Sequence, residues 1–241
     1  NEVAPIIFDS GYEKIQADSI SSMTKRAVKT NVHLGSPYSS RGKNQQGDPV
    51  RFVGSVGCRA MHGTEHGFVT AAHCLPKMGL SVCIGETDTN LGKVTSVKLN
   101  ASSDAAFVAV DYDKYYPTNT TYRTKTALYD KILKNSSLVG YEVSTEGQKT
   151  ANVVKAKVTE INKKVHVQKW TPAGQADFYA NNMVYATFTS SQTQEGDSGG
   201  IVYVNGYVAG IHSARLGNTT QIFSSAELVL KDLGLTNIWE K

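Results

Sequence analysis

Residues 62–74, HGTEHGFVTAAHC, hold three histidines in two arrangements that imply different chemistries. His62, Glu65 and His66 have the H-x-x-E-H spacing. On a helix this sets two imidazoles on one face beside a carboxylate, the layout of a hydrolytic zinc centre. His73 instead closes the segment Thr70-Ala71-Ala72-His73-Cys74, after a short apolar run. A histidine so placed can take a proton when a hydroxyl and an orienting carboxylate converge on it. The chain offers both. Asp104 stands just before the apolar run 105–110, and Ser198 sits in Gly196-Asp197-Ser198-Gly199-Gly200. Acyl transfer needs a nucleophile, a base, a group that orients the base, and donors for the oxyanion. The glycines around Ser198 let the backbone N–H groups of Gly196 and Ser198 face one small hole.

The zinc arrangement is weakly supported. Gly63 lies inside the motif, Gly67 follows it, and the flanks lack a 3.6-residue apolar period. A hairpin loop is expected there, with His62 and His66 facing solvent, and no metal is expected. Asp111 and Asp113 rival Asp104 as the carboxylate, but they follow the apolar run instead of preceding it.

Short strands must position these groups. Alternating or apolar runs predict strands at 50–56, 67–71, 80–84, 92–99 and 105–110. A second series follows at 137–143, 151–161, 164–168 and 183–188. Residues 200–212 predict a hairpin, with Asn205-Gly206 as its two-residue turn. Only the end predicts a helix: Ser224 or Ser225 caps it, Glu227 lies in its first turn and Gly234 ends it. The expected fold class is all-β, with one short C-terminal helix. The polar stretch 36–49 reads as loop. Residues 1–45 are therefore assigned to an N-terminal extension or propeptide remnant, with Lys25-Arg26 as a processing site. The first β-domain is assigned to 46–115, and the second, with the helix, to 116–241.

Composition narrows the function classes. Charged residues are 19% of the 241, and the net charge is +4. No basic run exceeds two residues, which argues against a nucleic-acid partner. No stretch is apolar for long enough to span a membrane. A start at Asn1 instead of methionine fits a processed product. Three cysteines, Cys58, Cys74 and Cys83, cannot all pair within one chain.

The segments TAAHC and GDSGG, with Asp104 between them, resemble the signatures of chymotrypsin-like serine proteases in the order His, Asp, Ser. The 31-residue interval from His73 to Asp104 is compact. It resembles the secreted microbial branch typified by alpha-lytic protease, the streptogrisins and glutamyl endopeptidases. The resemblance covers about residues 50–241. It implies two packed six-stranded antiparallel β-barrels and a secreted serine endopeptidase that acts on polypeptides as a monomer without a cofactor. It implies Ser198 as nucleophile, His73 as base, Asp104 as its orienting partner, and Gly196 and Ser198 as oxyanion donors. Cys58, sixteen residues before Cys74, fits the family's disulfide beside the catalytic histidine; unpaired core thiols are the alternative.

The resemblance also locates the specificity pocket, at Gly210-Ile211-His212-Ser213-Ala214-Arg215. No Asp stands near Gln192 or Thr193, so cleavage after Lys or Arg is not expected. His212 stands where glutamate-specific members carry a histidine, and Arg215 adds a positive group. Glu195 is a departure that opposes an acidic side chain. A preference for Glu before the scissile bond is expected, with a small or apolar preference as the alternative. Two rivals remain: a non-catalytic binding protein on the same fold, and a protease held inactive by its N-terminal arm.

Overall fold

A computed structural model describes residues 28–235; segments 1–27 and 236–241, and with them Lys25-Arg26, lie outside the described residues. The first half forms β1 (Thr30–Leu34), β2 (Pro37–Lys43), β3 (Pro49–Ser55), β4 (Arg59–His62), β5 (Glu65–Thr70), β6 (Ser81–Ile84), β7 (Asn90–Val97) and β8 (Ala106–Val110). The connection carries β9 (Tyr115–Thr121). The second half forms β10 (Glu142–Glu146), β11 (Val154–Thr171), β12 (Gly174–Phe188), β13 (Ile201–Val204), β14 (Tyr207–Leu216), β15 (Thr220–Ser225) and α1 (Ala226–Leu233).

The first domain is a seven-stranded antiparallel sheet in the order β3-β2-β6-β7-β8-β5-β4, and the second is a closed six-stranded barrel, β10-β11-β12-β15-β14-β13. Residues 30–43 correct the expected boundary at 46. β2 pairs along its length with β3 and also with β6, so it is an interior strand of the first domain. β1 runs parallel to β9. The polar composition of β2 concealed it, yet Ser39 and Ser40 are buried. Arg51 donates to Ser39, and the Ser40 hydroxyl donates to the Ser81 carbonyl, which meets the cost of burying polar groups.

The core is continuous between the domains. One cluster joins Leu34, Val69 and Phe107 of the first domain to Ile201, Val208 and Ile211 of the second, and to Val229, Leu230 and Leu233 of α1. Burying each such Leu, Ile or Phe stabilises the fold by about 1.5–3 kcal/mol. α1 places Ala226, Val229, Leu230 and Leu233 on its buried face. It ends at Gly234, whose φ of 66° sets the left-handed cap. The β13–β14 turn has Asn205 at φ 50° and Gly206 at φ 81°, as a two-residue hairpin requires.

β11 and β12 are far longer than the sequence suggested. Their outer part leaves the barrel as a two-stranded ribbon. It reaches across to the first domain, where Ala176 and Phe178 pack in the cluster of Tyr38, Phe68 and Leu75. The Trp170 indole donates to the Lys43 carbonyl at 2.6 Å. The ribbon also steadies the approach to Asp104: Asn181 and Asn182 amides donate to the carbonyls of Ala101 and Ser102.

Candidate active site

The candidate site lies on the seam between the domains. β5 ends at Thr70, and the following turn carries His73, which is 4% exposed. β8 starts at Ala106, and Asp104 just before it is fully enclosed. The Asp104 carboxylate accepts from His73 Nδ1 at 2.6 Å, from the His73 backbone N–H at 2.9 Å and from the Ser213 hydroxyl at 2.5 Å. Its own N–H donates to the Ser224 hydroxyl, on β15. Burial alone would raise the Asp104 pKa, but His73 and the Ser213 hydroxyl outweigh it and hold the carboxyl low. Burial likewise opposes a charged His73, yet the adjacent Asp104 holds its pKa above the ordinary imidazole value. Nδ1 donates to the carboxylate, so the basic lone pair is on Nε2.

Ser198 is brought to the same place by the second domain. Its turn is fixed from below by the buried Asp197 carboxylate. That group accepts from the backbone N–H of Gln194, Lys149 and Thr150 and from the Thr150 hydroxyl. From the side, the turn is held by Ser55 of the first domain: the Ser55 N–H donates to the Ser198 carbonyl, and the Ser55 hydroxyl to the Gly196 carbonyl at 2.8 Å. Gly196 has φ 101°, which only glycine adopts without strain. Among the described residues the N–H groups of Gly196 and Ser198 donate to nothing. They are a pair of unspent donors beside the serine hydroxyl. That hydroxyl donates to the Ser213 carbonyl at 3.1 Å, and no hydrogen bond joins it to His73.

The expected pocket residues converge. A cavity of about 310 Å³ is lined by Ser198, His73, His212, Ser213, Arg215 and Glu195. His212 is 2% exposed, and burial pushes its pKa down to about 4. The Gln221 amide donates to Thr145 at 2.7 Å and lies 3.3 Å from His212 Nδ1. With Nδ1 accepting, the ring proton sits on Nε2, the donor left for a ligand. Arg215 is exposed and donates to Gln192 at 2.9 Å. Residues 165–169 of the ribbon also line this cavity. Sequence reasoning missed them, as it missed Ser55, Asp197, Ser224 and Gln221. Only Asp197, inside the GDSGG segment, had a local signal.

The cysteine expectation is corrected. Cys58 and Cys74 are both free, as is Cys83. Cys58 packs with Ala60, Val69 and Phe107, whereas Cys74 packs with Tyr38, Phe68 and Leu75, so the two thiols face separate clusters. Burial pushes the Cys58 pKa up to about 12. His62 and His66 lie on the hairpin expected there, but on its paired strands β4 and β5 and half-buried instead of in a solvent-facing loop. His62 pairs with Glu65, and His66 stacks on Tyr112 at 3.8 Å. Asp111, at the far end of β8 from Asp104, pairs with Lys114.

A family profile described as Trypsin matches residues 28–224. Protease A of Thermobifida fusca superposes with a TM-score of 0.65 at 18% identity, covering 88% of this chain and 100% of that one. Nocardiopsis protease superposes with a TM-score of 0.63 at 21% identity, covering 87% and 100%. A glutamic acid-specific serine protease, described as using a histidine triad in substrate binding, gives 0.62 at 22%, covering 86% and 100%. At such identities these likenesses speak for the fold. A search of curated protein sequences returns no match. Among the described residues, no helix is long and apolar enough to cross a membrane.

Proposed function

The chain belongs to the trypsin family and is a serine endopeptidase, and from that premise we propose that Ser198, His73 and Asp104 are its catalytic triad. Ser198 attacks the scissile carbonyl as His73 Nε2 takes its proton. The carbonyl oxygen, now anionic, is held by the N–H groups of Gly196 and Ser198. His73 then returns the proton to the leaving amine, and water hydrolyses the acyl-enzyme by the same route in reverse. Asp104 keeps the imidazole in the tautomer that makes Nε2 basic and stabilises the imidazolium. The observation that carries this reading is the enclosed chain of hydrogen bonds from Ser213 through Asp104 to His73, ending beside Ser198 and two unspent amides.

The proposed preference is for Glu before the scissile bond. Supporting it, His212 offers an Nε2–H donor inside the pocket and Arg215 a positive charge at its rim. A neutral His212 serves a carboxylate and a carboxamide alike, so the charge of Arg215 separates Glu from Gln. Glu195, exposed at the same rim, works against it. The solved protease of glutamic acid specificity that this chain resembles in fold is consistent with that assignment. The enzyme is proposed to act outside the cell as a monomer on polypeptides, in keeping with the secreted microbial branch that its motifs resemble.

The test is twofold. A fluorophosphonate probe should label the wild type at Ser198 and leave Ser198→Ala untouched. A mixed peptide library read by mass spectrometry should give serine-dependent cuts clustered after Glu. Labelling at another residue, or cuts that survive in Ser198→Ala, would overturn the triad; cuts clustered after small apolar residues would overturn the Glu pocket alone.

A further inference from the structure

We propose that a second cavity, on the Gly196 side of His73, binds an acidic side chain carried by the residue just after the scissile bond. The inference rests on the reading above, in which His212, Ser213 and Arg215 receive the residue before the cut. The two cavities meet at His73 and share Lys169 and Glu195. The second measures about 330 Å³ and reaches Gly196 and Cys74, which the first does not. A peptide stretched across Ser198 with its acyl half in the first cavity must lay its leaving half in the second.

This cavity has a built character. β3 supplies Phe52 and Val53 as one apolar wall, and the ribbon closes the other side with Trp170, pinned to Lys43. Three donors then line it without an acceptor of their own. Lys149 lays its stem over Gly196: a Cβ placed on Gly196 would lie 2.8 Å from Lys149 Cγ and 3.6 Å from its Cε. The Gln148 Nε2 is buried without a hydrogen-bond partner and lies 2.6 Å from that same point. Lys169, from β11, is the third. Neither ammonium makes a hydrogen bond or an ion pair among the described residues. Arg51, also on the wall, is already committed to Asp88 and Ser39. The opposing charge is Glu195, exposed at the rim shared with the first cavity. An apolar side chain would leave the Gln148 amide orphaned, and a cationic one would meet two lysines. A carboxylate answers all three donors.

The experiment uses peptides that share Glu before the cut and carry Asp, Glu, Asn, Ala or Lys after it. Values of kcat/KM are compared for the wild type, Lys149→Ala/Lys169→Ala and Lys149→Arg/Lys169→Arg, at low salt and in about 1 M NaCl. The wild type should favour Asp or Glu over Ala by about fivefold, and over Lys by more. The ratio should fall to near parity in the double alanine variant and in high salt, and persist in the arginine variant. Because each ratio is internal to one preparation, loss of folded enzyme does not move it. Equal rates for Asp, Ala and Lys in the wild type would overturn the inference while leaving the protease reading intact, as would an acidic preference that survives removal of both lysines. Absence of all cleavage together with absence of fluorophosphonate labelling would overturn the reading beneath it, and the inference with it.

Discussion

His73 and His212 are enclosed to nearly the same degree, 4% and 2% exposed, yet the protein drives them in opposite directions. His73 faces the Asp104 carboxylate at 2.6 Å, and its pKa is held up against the pull of burial. His212 faces the Gln221 amide at 3.3 Å, and burial prevails, taking its pKa to about 4. Burial penalises the charged imidazole in both places; the neighbour decides whether the penalty is offset. One ring is thereby equipped to accept a proton during a reaction. The other stays neutral and donates a hydrogen bond without changing charge. Exchanging the neighbours is the direct way to probe this difference.

Asp104→Asn gives His73 the kind of neighbour His212 has. It should lower kcat by about 10⁴-fold, because the amide favours the wrong tautomer. The pH profile carries the sign. The rate needs neutral His73, so wild-type kcat/KM rises with pH through a pKa above the ordinary value of about 6.5. Without the carboxylate, only Cys74 still opposes burial, so the His73 pKa falls and the residual activity should rise at lower pH. A loss below tenfold would remove Asp104 from the triad.

His212→Leu should cost about tenfold to a hundredfold in kcat/KM on Glu peptides, the value of one buried donor to a charged group. Slowed labelling by a small fluorophosphonate would instead mark damage to the triad. Gln221→Glu gives His212 the neighbour that His73 has. The new carboxylate raises the His212 pKa, so the imidazolium is present below that value and lost above it. The Glu-over-Gln ratio should therefore grow by about tenfold as pH falls through it, where the wild-type ratio stays level. A flat ratio in the variant would mean that His212 does not touch the substrate. Arg215→Ala is the mildest change: about a threefold loss in the Glu-over-Gln ratio at low salt, fading as salt rises.

The two histidines also differ in how far the sequence disclosed them. His73, Asp104 and Ser198 were legible because each sits in a short contiguous segment whose composition reflects local demands: a strand end, a strand start, a glycine turn. The neighbours that tune them were not legible. Gln221 meets His212 only because β14 and β15 pair, and Ser213 meets Asp104 only across the seam between the domains. The same reason explains the ribbon. Residues 174–182 do alternate, with Ala176, Phe178 and Ala180 buried between exposed Gln175, Asp177, Tyr179 and Asn181, but with only one large apolar side chain on the inner face the strand signal is faint. That inner face packs on Tyr38, Phe68 and Leu75 of the first domain, far away in sequence. β2 was hidden by buried serines satisfied at long range. The cysteine pairing was carried over from the resemblance, whereas this chain sends the two thiols into separate clusters.

Ser55 gives the molecule a built-in proof of assembly. It belongs to the first domain, and it grips the carbonyls on both sides of Asp197 in the second. A second domain folded by itself would keep the Asp197 bonds under the serine turn but lose the Ser55 grip on its carbonyls, and it would have no histidine to activate the serine. Activity is therefore a property of the docked pair. A chain caught with only one half folded lacks the means to assemble the site, whatever its sequence contains.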